Sequence, residues 1–175
     1  EAILTHNNDT IPTDKQQAEI LNKHYSNISR LPNRRQDRLI LRRLHSLTLD
    51  NNAQFFTPEM TVKAIKSTKN SRSIGPDGIS YLHLKHLGQN AIRALTNIFN
   101  HSLNYNSIPN IWKLGKIIPI LKPHKPPTEP ASYRPISLLC NTSKILERLV
   151  LNNTTPHIPL SPTQHGFRPQ HSTST

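Results

Sequence analysis

Three basic residues, Lys122, Lys125 and Arg134, lie in and just after a proline-rich stretch of the chain and could bind phosphate. Arginine binds phosphate through a planar, two-pronged guanidinium group, whereas lysine offers a mobile point charge. The stretch, residues 122–132, contains four prolines and is longer than an ordinary hairpin loop. We therefore expect a phosphate-binding loop here, and a solvated basic loop with no ligand is the alternative.

The segments on either side of this stretch predict two β-strands that would form a hairpin. Lys116–Leu121 is rich in β-branched residues, and Tyr133–Leu138 could supply its partner. Because proline cannot donate a backbone hydrogen bond, Pro119 restricts the first strand to an edge or a bulge. The pattern places Arg134 in the second strand, beside the basic loop.

Carboxylates that could hold catalytic metal ions are scarce. Nucleotidyl transfer with two magnesium ions needs two or three carboxylates, yet after Asp77 the only acidic residues are Glu129 and Glu147. Asp77 lies in a Pro-Asp-Gly turn, where aspartate more often bonds to its own backbone. His83 and His86 have helical spacing but lack further metal ligands nearby. The sequence thus predicts no catalytic residue and no metal site.

The charge of the chain favours a polyanionic partner. Lys and Arg outnumber Asp and Glu by 22 to 10, which gives a net charge of +12. Such an excess favours nucleic acid, because each phosphate contact releases counterions. A basic surface without a specific ligand is the alternative. Cys140 is the single cysteine, so no internal disulfide is possible, and no apolar run reaches the roughly 18 residues of a membrane span. No signal peptide opens the chain, so we expect neither membrane insertion nor secretion.

The remaining sequence predicts a mostly helical α+β chain with one β-hairpin. Helices are expected over Asp14–Ile28, capped by Thr13 or Asp14, and over residues 30–43, where arginines dominate. A third helix should start at Thr57 and Pro58 and end near Lys69. The turn at residues 75–78 precedes a longer helix, capped by Ser80 and running past Phe99. A final helix should be capped by Asn141 or Thr142 and end near Pro156.

Four segments together resemble a polymerase family. They are residues 75–79 (GPDGI), 109–113 (PNIWK), 132–139 (SYRPISLL) and 164–173 (QHGFRPQHST). In type, order and spacing they resemble the reverse transcriptase of jockey-like non-LTR (LINE-type) retrotransposons. The change near Phe56 from a polar, arginine-rich sequence to a patterned one predicts residues 1–56 as an arginine-rich helical linker. By the resemblance, residues 57–175 would be the N-terminal, fingers and upper-palm part of a right-hand polymerase, and the catalytic aspartates would lie beyond this chain.

The resemblance also implies roles for individual residues. Arg134, with Lys122 or Lys125, would contact the phosphates of the incoming deoxynucleotide. The residues that would line the template and nucleotide pocket are Gln164, Gly166, Phe167 and Arg168. A basic residue that the family often has before the final Ser-Thr is replaced here by Gln170 and His171.

The implied reaction is RNA-templated DNA synthesis inside the cell, in the cytoplasm and nucleus. Magnesium would be the cofactor of the full-length parent, and the partners would be an RNA template, a DNA primer, deoxynucleotides and the remainder of the reverse transcriptase. The chain alone is expected to be inactive. The alternative is a catalytically dead, retroelement-derived remnant that still binds nucleic acid.

Overall fold

The computed structural model describes residues 4–6, 9–10, 13–30, 54–159, 161, 163–166, 168 and 170–172. The expected basic helix over residues 30–43 lies almost entirely outside the described residues, as does Phe167. Among the described residues, no helix is both long enough and apolar enough to cross a membrane.

The described chain is α+β, with a helical core and a two-stranded hairpin. A short pairing of β1 (Thr5–His6) with β2 (Asp9–Thr10), which the sequence did not predict, precedes α1 (Asp14–Ile28). The next elements are α2 (Pro58–Lys66), α3 (Tyr81–Lys85) and α4 (Gln89–Asn104). After a 3-10 turn at Asn110–Lys113 come β3 (Lys116–Leu121), β4 (Tyr133–Leu138) and α5 (Asn141–Thr154). Two further 3-10 turns, Pro130–Ser132 and Thr155–His157, precede β4 and follow α5.

Helices α2 to α5 form the main hydrophobic core. Its largest fully buried members are Phe56, Phe99, Ile65, Ile145 and Leu149. Burial of side chains of this size contributes about 1.5 to 3 kcal/mol each, which favours the four-helix arrangement over isolated helices. Phe56 is also held by Asn100, whose side chain accepts from the Phe56 N–H and donates to its carbonyl, each at 2.9 Å.

The helix starts follow the expected capping chemistry in three places. Thr13 accepts a hydrogen bond from the Gln16 N–H, and Thr57 accepts one from Met60. Ser80 and His83 form a reciprocal capping box at the start of α3. Because hydroxyls at these positions bond to otherwise free N–H groups, these starts could be read from the sequence.

The expectation of one long helix from Ser80 past Phe99 was wrong. The chain leaves the helical conformation after Lys85 and resumes at Gln89, with Gly88 as an extended N-cap residue (φ −72°, ψ 166°). Glycine is a poor interior helix residue but is accepted at an N-cap, which explains why the helix is broken here. The apolar period continues on both sides of the break.

Strands β3 and β4 pair antiparallel, as expected, from Lys116 opposite Leu138 to Leu121 opposite Tyr133. Pro119 lies directly opposite Pro135. The Lys122 N–H donates to the Ser132 carbonyl at 2.9 Å, so these two residues form a hydrogen-bonded pair. Hydrogen-bonded and non-hydrogen-bonded pairs alternate along an antiparallel ladder. Pro119 therefore occupies a non-hydrogen-bonded pair, and the ladder loses no bond to either proline.

Candidate nucleotide and template interface

Arg134 lies on the exposed face of the hairpin. It is opposite Ile120 in the ladder, and because side chains alternate along a strand it shares a face with Ile118 and Ile136. Ile120 and Ile136 are 48% and 44% exposed. The guanidinium therefore stands at one end of an open, largely apolar strip, free to meet a ligand from solvent.

Helix α1 packs against part of the opposite face of the hairpin, around Tyr133. Tyr133, the neighbour of Arg134, is buried against Leu4 and against Ile20, Leu21 and Tyr25. The pKa of the Tyr25 hydroxyl is raised, mainly because the side chain is partly buried and to a smaller extent because Tyr133 lies nearby. Ile117 and Leu121 on this face are still 39% and 41% exposed, so α1 shields the part around Tyr133 and leaves the Arg134 face the more exposed of the two.

The loop after β3 is braced by its own lysine. The Lys122 ammonium donates to the Ala131 carbonyl at 2.8 Å, and the Tyr133 hydroxyl donates to the Pro127 carbonyl at 2.7 Å. Lys122 therefore has a structural contact that its sequence position did not predict. Since an ammonium group has three donors, two remain for a ligand. Lys125 is exposed, and its backbone N–H bonds to the Lys122 carbonyl.

The second predicted segment is held by local contacts. Gln164 donates to the Gly166 carbonyl at 3.4 Å, and Arg168 donates to the Ser161 carbonyl at 3.5 Å. A Cβ built on Gly166 would meet no atom within 4 Å, so close packing does not require glycine at that position. Phe167, the aromatic member of the motif, lies outside the described residues.

The base of the hairpin contacts the turn at residues 75–78, a connection that the sequence analysis missed. Asn141 is almost fully buried and donates to the Ser73 and Ile79 carbonyls, both at 2.8 Å. Thr142 donates to Asp77 Oδ2 at 2.9 Å. The expectation that Asn141 or Thr142 caps α5 was wrong, because Cys140 is the N-cap residue. Two polar residues at the start of the helix that follows a strand were the only signal available in the sequence.

Asp77 has a structural role in this contact. Its Oδ1 accepts the Ile79 N–H at 3.1 Å, as expected for aspartate in such a turn, while Oδ2 accepts from Thr142. Among the described residues, no group of three or more His, Cys, Asp or Glu side chains could hold a metal ion. His83 and His86 instead bond to nearby backbone, at Ser80 N–H and the Leu82 carbonyl. The donor set described here does not fit magnesium.

Comparison with known proteins identifies the class of protein to which this chain is similar. No family model matches the chain. Its homologues are RNA-directed DNA polymerases of jockey-like and other Drosophila non-LTR transposons, which confirms the resemblance drawn from the motifs.

Three relatives from Drosophila melanogaster illustrate the match. The probable RNA-directed DNA polymerase from transposon BS is 43% identical over 66% of this chain and 13% of its own length. The corresponding protein from transposon X-element is 42% identical over 60% of this chain and 12% of its own length. The RNA-directed DNA polymerase from mobile element jockey is 41% identical over 57% of this chain and 11% of its own length. The matched region is thus a small part of each relative.

Proposed function

We propose that this chain is the fingers-side segment of an RNA-directed DNA polymerase, in which the hairpin binds the triphosphate of the incoming deoxynucleotide. The observation that carries the proposal is the position of Arg134, which is exposed on the open face of β4 in a chain homologous to such polymerases. Lys125 and the two remaining donors of Lys122 would add positive charge beside it.

Arginine suits this role because a guanidinium donates two parallel hydrogen bonds to one phosphate. The apolar strip beside Arg134 offers no competing carboxylate, so the side chain is not neutralised by a partner on its own face. Gln164, Gly166, Phe167 and Arg168 would form the template side of the same pocket.

The remaining parts of the proposal concern the whole polymerase. Residues 57–175 would belong to its right-hand fold, with residues 1–56 as a linker that leads into it. The RNA template, the DNA primer and the rest of the polymerase would be its partners, and synthesis would take place inside the cell. Magnesium would be held by carboxylates outside this chain, where it would activate the primer hydroxyl and neutralise the triphosphate.

Arg134→Ala tests the proposal in the full-length polymerase. We expect the Michaelis constant for deoxynucleotides to rise about 10- to 100-fold, because one charge-assisted contact contributes ~1.5 to 3 kcal/mol. The affinity for the template should change little. Steady-state kinetics at varied deoxynucleotide, together with template titrations, separate the two effects.

Arg93→Ala is the matched control, since it removes the same charge from an exposed position on α4. It should leave the Michaelis constant unchanged. A loss of template affinity in Arg134→Ala with unaltered nucleotide dependence would place Arg134 on the template and refute its assignment to the triphosphate.

A further inference from the structure

The junction between β4 and α5 determines the direction in which the hairpin projects. β4 ends at Leu138 and α5 begins at Asn141, so only Leu139 and Cys140 lie between the strand and the helix. Helix α5 is anchored in the main core through Ile145, Leu146 and Leu149. The hairpin is therefore attached to a rigid helix through a very short connection.

The turn at residues 75–78 holds this junction by polar contacts. Thr142 is buried, and its hydroxyl donates to a carboxylate oxygen of Asp77 at 2.9 Å. The other oxygen of Asp77 is fixed by the Ile79 N–H, so the carboxylate cannot rotate without breaking one bond. A hydroxyl bond to an ionised carboxylate is stronger than a neutral one and more directional than packing alone.

Steric contact holds the same junction from two sides. A Cβ on Gly75 would lie 2.6 Å from backbone atoms of Cys140 and Leu139, so the turn already touches the junction. On another side, Cys140 Sγ donates to the Ile111 carbonyl at 3.4 Å. Gly115 lies close to Leu139, because a Cβ built on Gly115 would be 3.1 Å from Leu139 Cδ2. The junction therefore has little freedom to shift.

Small rotations at the junction are amplified at Arg134. Arg134 precedes Leu138 by four residues, which is roughly 13 Å along an extended strand, so a tilt of about 10° moves its Cα by ~2 Å. A misplacement of about 1 Å in a binding geometry can cost roughly 100-fold in rate. Contacts that fix the junction therefore determine the position of the Arg134 guanidinium.

We propose that Thr142, acting through Asp77, is a positioning residue for the contact between Arg134 and the nucleotide triphosphate. This inference rests on the proposed function. It assigns a role to the GPDGI turn: the turn acts on the nucleotide site from beneath the hairpin, without touching the nucleotide.

The test uses Thr142→Val in the full-length polymerase, with Thr142→Ser as the matched control. Valine keeps the shape of threonine but lacks the hydroxyl, whereas serine keeps the hydroxyl. We expect Thr142→Val to raise the Michaelis constant for deoxynucleotides by about tenfold, the lower end of the roughly 10- to 100-fold rise expected when the Arg134 contact is lost altogether. kcat and template affinity should stay within about twofold, and Thr142→Ser should behave as the parent.

A double variant separates positioning from general damage. If Thr142 acts through Arg134, adding Thr142→Val to Arg134→Ala should raise the Michaelis constant no further. Asp77→Asn, which keeps the shape of the carboxylate but removes its charge, should shift nucleotide dependence in the same direction and provides a second variant if Thr142→Val does not fold.

The outcomes distinguish the two proposals. If Arg134→Ala raises the Michaelis constant and neither Thr142→Val nor Asp77→Asn does, the positioning role is wrong and the proposed function stands. If Arg134→Ala itself has no effect on nucleotide dependence, the proposed function fails and the positioning role fails with it. Equal losses in kcat, template affinity and nucleotide affinity would reduce the Thr142 contact to a purely structural one and also overturn the positioning role.

Discussion

Gly75 is the position at which one added methyl group should damage the fold most. In Gly75→Ala the new Cβ would lie 2.6 Å from Cys140 Cα, Cys140 N and Leu139 C, whereas Cβ atoms essentially never approach other atoms closer than 3.0 Å. All three obstructing atoms belong to the backbone, so no side chain can rotate away. The turn and the start of α5 must separate instead.

The magnitude follows from what the separation breaks. Overpacking a close contact costs about 1 to 3 kcal/mol. The same movement strains the two 2.8 Å bonds of buried Asn141, each worth ~1 kcal/mol. We therefore expect Gly75→Ala to lower the free energy of unfolding by about 2 to 4 kcal/mol, a large part of the ~5 to 15 kcal/mol available to a domain.

Denaturant unfolding of the 175-residue chain can be followed through its single tryptophan. Trp112 packs against core Phe99, with ring centroids 5.9 Å apart, so its fluorescence reports loss of the core. Gly88→Ala is the control for the steric effect, because no atom lies within 4 Å of its Cβ; it should cost only ~0.5 to 1 kcal/mol, since alanine is a poorer N-cap residue than glycine. Gly78→Ala, at φ +69°, should cost an intermediate ~1 to 2 kcal/mol.

This ranking is a direct test of the contact between the turn and the junction. If Gly75→Ala proved no more destabilising than Gly88→Ala, the turn would not touch the hairpin junction as described. The positioning argument for Thr142 would then lose its steric support.

Three further outcomes are expected. The isolated chain should not extend a primer on an RNA template with magnesium and deoxynucleotides, because its described residues contain no cluster of three or more acidic, histidine or cysteine side chains that could hold a metal ion; extension by a preparation free of other polymerases would refute this. Single-stranded RNA should bind with an affinity that falls steeply with salt, each neutralised phosphate adding about 0.7 to the logarithmic slope; salt-independent binding would count against a phosphate interface. Burial raises the pKa of the Cys140 thiol above its ordinary value of 9.0. The unfolded thiol thus ionises first, so stability should fall above pH 9 more in the parent than in Cys140→Ala, and equal slopes would contradict this.

Much of the fold could be predicted from the sequence because it depends on local chemistry. The α1 and α2 starts follow from the hydroxyls of Thr13 and Thr57, and the hairpin follows from its β-branched strands. The helix break at Gly88 was missed because the apolar period runs through it. A periodic pattern of apolar residues indicates which face of a helix is buried. It does not reveal a short break in the helix when the apolar faces on the two sides of the break point the same way.

The candidate site was predictable in part for a similar reason. The position of Arg134 on a strand was predicted from the residue types around it, which are local properties, and its role in binding phosphate stays a prediction. The bonds of Asn141 to Ser73 and Ile79 join residues more than 60 positions apart, and no local pattern encodes such a contact. Polar side chains at a helix start predict capping by default, so their long-range role becomes visible only when the turn and the helix are seen together.

The opposed prolines of the hairpin affect how readily its edges could pair with further strands. A two-stranded sheet has two open edges, and exposed apolar strands with free edge N–H groups tend to recruit further strands and aggregate. At the non-hydrogen-bonded pair of Pro119 and Pro135, the missing N–H groups are those that would have faced outward, one on each edge. Each edge is thereby interrupted at its midpoint, so a second chain could not add a continuous strand to either side. The hairpin therefore exposes isoleucines on its face while its edges are poor templates for strand addition.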